Sequence, residues 1–112
     1  MRVERDAARV AAAEARAAVA RQEGRRVIVN DECRRRIVAV VDEAAQLNLA
    51  GAAAGDLLTA SQVIVYKAGL AWITAMRGVA EAMKEPGDNR DPSDDAHWPA
   101  PSAEVVALAG AF

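Results

Sequence analysis

Between Cys33 and Ala54 the chain carries its most regular hydrophobic pattern. Cys33, Ile37, Val40, Ala44, Leu47, Gly51 and Ala54 recur at alternating steps of four and three, the repeat of a helix that packs along one seam. Val41 and Ala45 widen the stripe, while Arg34, Arg35, Asp42 and Glu43 fall mostly away from it. Asn30 or Asp31 supplies an N-cap, and Asp31 and Glu32 suit the positive end of the helix dipole. A helix from about Asp31 to Ala53 is therefore predicted. Gln46 and Asn48 flank the apolar line. A buried amide left unpaired costs about 1 to 3 kcal/mol, so both are expected to bond across to a neighbouring helix or subunit.

Upstream, residues 2 to 22 are alanine with interspersed arginine and glutamate, a composition that predicts a long helix closed by Gly24. Its ridge of Val3, Ala7 and Val10 fades at Glu14, so no sustained heptad follows. The β-branched run in "RRVIVN" at 25 to 30 predicts a short extended connector. Downstream, Thr59 and Gln62 have the spacing of a capping box, with Leu58 placed to staple against Val63. The helix they open carries two ridges, one through Tyr66 and Ile73 and the other through Trp72, Met76 and Met83. An apolar face that broad implies contact on more than one side.

Helices two and three, joined by a short loop near residues 55 to 58, are expected to form an antiparallel hairpin. Pro86 ends the third helix, and the proline-rich acidic stretch up to Pro101 reads as an arm. Ser102 caps a last short helix whose apolar side is Val105, Val106, Leu108 and Phe112. The expected fold is all-α: a long N-terminal helix (1–24), a helical hairpin core (25–85), and an arm with a short C-terminal helix (86–112).

Composition changes this picture in one respect. Hydrophobic residues make up 53% of the 112, but much of that is alanine and aromatics are only 4%, so the chain buries little area per side chain. Missing burial is then expected from another subunit, making a homo-oligomer the expected state. The net charge of −2 is too small for general attraction to nucleic acid or anionic lipid, although residues 1 to 30 carry +3 and residues 86 to 112 carry −4. One cysteine excludes an internal disulfide. No leucine-rich secretory signal and no stretch of roughly 20 apolar residues is read, so a soluble cytoplasmic product without membrane insertion is expected.

Candidate chemistry is sparse. Cys33 near a helix start invites a nucleophile, but Glu32 opposes a thiolate and the only histidine, His97, is far along the chain, so a core position is expected. One cysteine and one histidine do not make a metal site, and no phosphate loop or nucleophile elbow occurs, so no catalytic residue, metal or cofactor is expected. Arg34, Arg35 and Arg36 point in three directions about 100° apart on a helix, which favours ion pairs over one phosphate-binding patch. Trp72 reads as core. Trp98, between a charged loop and Pro99, is expected to anchor the arm in a pocket of its own chain or of a partner.

"VNDECRRRIVAVVDEAAQLNLAGAAAGDLLTASQVIVYKAGLAWITAMR" and the later "HWPAPSAEVVALAGAF" resemble small proteins encoded among the structural and tail genes of tailed bacteriophages and prophages. Asn30, Glu32, Cys33, Arg35, Arg36, Ile37, Ala45, Gln46, Asn48, Ala71, Trp72, Met76, Trp98 and Pro99 carry the likeness. It covers about residues 27 to 112 and leaves out the alanine-rich first helix. The resemblance implies a non-enzymatic virion or assembly role near the tail or its fibres, with synthesis in the bacterial host cytoplasm. Expected partners are further copies and other phage structural proteins, met through Cys33, Ile37, Val40, Ala44, Leu47, Trp98 and Phe112. The competing expectations are a tail or fibre assembly chaperone absent from the finished particle and a small nucleic-acid-binding regulator built on the arginines.

Overall fold

The computed structural model describes residues 2–112, and the side chains from Val3 onward. Met1, counted in the N-terminal unit, lies outside the described residues. The fold is all-α. Helices α1 (Arg2–Val40), α2 (Glu43–Ala54), α3 (Ala60–Met83) and α4 (Ala103–Gly110) follow in order, with one 3-10 turn at Asp95–His97.

The first helix does not stop at Gly24, and "RRVIVN" is not an extended connector. Helix runs unbroken from Arg2 to Val40. Carrying helix through a glycine and three β-branched residues costs a few tenths to about 1 kcal/mol each. Tertiary contacts outweigh that cost. Val29 is wholly buried, Arg25 Nε donates to Met83 O at 2.9 Å, and the Gln22 amide donates to Lys84 O. An extended segment would turn all three away from the end of α3.

The break falls instead at Val41 and Asp42. Asp42 adopts extended backbone and caps α2, its Oδ1 accepting from Ala45 N at 2.7 Å. Gln46 Nε2 takes up the freed Val41 carbonyl at 2.9 Å, so its amide bonds locally at the break rather than across to another helix. The axes of α1 and α2 differ by 64°. This bend changes which side of the chain faces inward. Buried positions run in steps of four through Val29, Cys33, Ile37, Val41, Ala45 and Leu49, not along the predicted seam through Val40, Ala44 and Leu47.

The expected capping box opens α3: Gln62 N donates to Thr59 Oγ1 at 3.1 Å and Thr59 N donates to Gln62 Oε1 at 2.9 Å. From there α3 runs antiparallel to the second half of α1, as the pairing of Cys33 with Met76 and Asn30 with Lys84 shows. Trp72, Met76, Ala80 and Met83 form its buried face. The chain then folds back, and α4, capped by Ser102 as expected, packs on α3 and α2. A Cβ at Gly69 would sit 3.5 Å from Val105 Cγ1, in ordinary contact, so α4 lies close against α3 there.

Candidate interaction surfaces

Cys33 sits in the hairpin core, its thiol donating a weak bond to Met76 O at 3.7 Å. Burial pushes its pKa up, against the smaller opposing pull of Arg77 and Lys84. The thiol is therefore held away from the thiolate that nucleophilic chemistry needs. Among the described residues no group of three or more His, Cys, Asp or Glu side chains is gathered for a metal ion.

The three arginines are engaged within the chain. Arg34 pairs with Glu43 at 2.6 Å and Arg35 with Glu32. Arg36 reaches Glu32 and Asp95, each at 2.8 Å, donates to Ser93 O at 3.1 Å, and lies 5.5 Å over the Trp98 ring. Hydrogen bonding from Arg35, then from Arg36, holds the Glu32 carboxyl below its ordinary range. A second clamp closes the end of α3. Arg25 bonds Met83 O, Arg90 O and Asp88 together, and Arg90 also pairs with Asp88 at 2.8 Å.

These clamps fix the arm. Trp98 is buried against its own chain and donates Nε1–H to Pro92 O at 2.8 Å, while Trp72 Nε1 donates to Pro99 O at 2.9 Å. Of the two pockets left open for Trp98, its own chain provides the one it fills, so this ring is not an outward anchor. Asn48 Nδ2 donates to Phe112 O at 3.2 Å, which ties the last residue onto α2.

The seven predicted interface residues thus divide three ways. Cys33, Ile37 and Trp98 are buried within the chain, Val40 and Phe112 are half-buried against its core, and Ala44 and Leu47 face outward with Leu47 74% exposed. The 64° bend is the cause: a straight helix would have kept all of the seam on one side.

Three further features belong to the folded chain. Between α2, α3 and α4 lies an apolar cleft of about 220 Å³ lined by Val41, Leu49, Tyr66, Ile73, Val105 and Leu108. Residues 3 to 21 of α1 are exposed on every side, so about 28 Å of helix projects past the hairpin. The outward side of α3 is likewise uncovered, although its most apolar 18-residue window has a mean hydropathy of 1.2. By length and composition α3 could cross a membrane, which corrects the reading that no stretch approaches that length. Alanine and glycine supply much of that hydropathy, which a search for large apolar residues passes over. Comparison with family models, with curated proteins and with solved structures gave no match.

Proposed function

We propose that this protein is a non-enzymatic structural component of a tailed-phage particle, made in the bacterial host cytoplasm and placed in the tail or tail-fibre region. It acts by self-association and by docking to larger structural proteins. The projecting helix of residues 3 to 21 carries this reading. Most helix stability in proteins comes from tertiary packing of an apolar face, and here the helix gains no tertiary burial from its own chain. Being continuous with the anchored half of α1, it needs no separate nucleation and stands as a rigid lever. A second protein that covers it adds the missing burial.

The link to a phage particle is the resemblance of residues 27 to 112. That likeness leaves out the lever, which serves here as the part specific to this chain's neighbour. Nucleic acid is not part of the reading, because Arg36 is held by Glu32 and the Trp98 ring while the exposed Arg34 and Arg35 each stand beside a carboxylate. Nor is membrane insertion, since Trp72, Met76 and Met83 of α3 are buried against protein.

Mass spectrometry of purified particles from a host carrying this gene tests the proposal. Stoichiometric peptides are expected in the finished particle, and Ala15→Glu with Val19→Glu on the lever is expected to lower incorporation without loss of helix content. Protein abundant in the lysate yet absent from particles would replace the structural role with that of an assembly chaperone.

A further inference from the structure

The uncovered side of α3 is organised rather than merely apolar. Ile64, Ala68, Ala71, Ala75, Gly78 and Ala82 are all exposed and recur at steps of four and three, the core register of a helix pair. Two columns flank this register at intervals of seven. On one side Trp72 is buried in the chain's own core and Val79 half-buried against it, while Val65 is half-buried at the apolar cleft. On the other side stand Lys67, Thr74 and Glu81, all exposed.

The outer column is self-complementary in one orientation only. In an antiparallel pair of identical helices each outer column faces its own copy. With a twofold axis at Thr74, Lys67 of each copy then meets Glu81 of the other. A parallel pair would set Lys67 against the inner column, where Val65 and Trp72 offer no charge. Lys67 has no ion-pair partner among the described residues. Glu81 is exposed and binds Lys84 through one oxygen only. Thr74 turns its hydroxyl back to Leu70 O at 3.0 Å, keeping the axis uncharged.

Gly78 fits the same surface. Glycine is the poorest helix former after proline, and at its other instance on α3, Gly69, a Cβ would stand in ordinary contact with Val105. A Cβ at Gly78 would meet nothing within 4 Å. Gly78 lies in the core register between the two charged positions and leaves room there for a second backbone.

We propose that α3 forms an antiparallel, twofold homodimer with a second copy of this chain, Lys67 pairing with Glu81 across the axis and Ala71 and Gly78 setting the closest approach. This rests on the self-association reading above and names its surface. Isologous pairing of this kind closes on itself and leaves both levers free for other partners.

Sedimentation equilibrium of the full chain, with circular dichroism as a check on folding, provides the test. The unaltered protein is expected to be dimeric. Gly78→Gln, which adds bulk where the isolated chain has open space and improves helix propensity, should retain helix content yet weaken dimerisation by about tenfold or more. Lys67→Glu should weaken it as well, and Lys67→Glu with Glu81→Lys should recover it. A dimer unaffected by Gly78→Gln and Lys67→Glu would overturn the α3 surface while leaving self-association standing. A monomer throughout would overturn the dimer, with presence in particles still decided by mass spectrometry.

Discussion

Arg36 shows how single side chains hold the arm in place. Its guanidinium joins Glu32, Asp95 and Ser93 O while covering the Trp98 ring, and most of it is removed from water. Arg36→Ala should lower unfolding free energy by about 2 kcal/mol, from the lost cation–π contact and charged hydrogen bonds. Chemical denaturation measures the loss, and a red shift of tryptophan emission reports Trp98 released to water. Asp88 sets the acid limit of the neighbouring clamp. Hydrogen bonds from the Arg90 side chain and backbone, with Arg25 nearby, hold its carboxyl at about 2 against an ordinary 3.8. A depressed carboxylate stabilises the fold above its unfolded value and loses that effect as pH falls through the folded value. Stability should therefore decline between about pH 4 and pH 2. Asp88→Asn should flatten that part of the profile in denaturation titrations, and an unchanged slope would show that other carboxylates carry it.

At the scale of the element, the seam divides at Asp42. Ile37→Asp places an unpaired charge in the hairpin core and should cost about 4 kcal/mol, while Leu47→Asp on the outer side of α2 should change folding stability by no more than about 0.5 kcal/mol. A straight seam would make the two costs alike, so thermal unfolding of both variants decides between the arrangements. The lever makes the second element-scale prediction. Amides of residues 5 to 21 should exchange with solvent far faster than those of residues 27 to 38, because only the latter half of α1 is packed. Equal protection along α1 in the isolated chain would mean that the lever is covered. Local chemistry made the caps at Thr59 and Ser102 and the end of α3 near Pro86 legible, since each depends on residues within a turn of itself. The continuity of α1 was not legible. Gly24 and "RRVIVN" disfavour helix locally, and only the end of α3, some sixty positions away, outweighs them through Arg25 and Val29.

For the whole molecule, extents of 75 × 27 × 17 Å describe a slab about two helices thick with a projecting rod. Its Cα radius of gyration is 20.7 Å, against about 13 Å for a compact domain of this length. Small-angle scattering at low concentration should return a value near 21 Å for the monomer, and one near 13 Å would show the lever collapsed onto the hairpin.

Alanine-rich helix, the Thr59 capping box, the Ser102 cap and the proline break were set by the sequence itself, because helix propensity and capping act over a single turn and do not wait for distant partners. The helical class of the fold and the places where α3 and α4 begin followed from them. Which apolar residues meet was decided by tertiary structure alone. A 64° turn at Asp42 sent Cys33 and Ile37 inward and Leu47 outward, and Arg36 drew Trp98 back onto its own chain. Burial depends on the direction of every later helix axis, and a bend of that size reassigns all the faces that follow it.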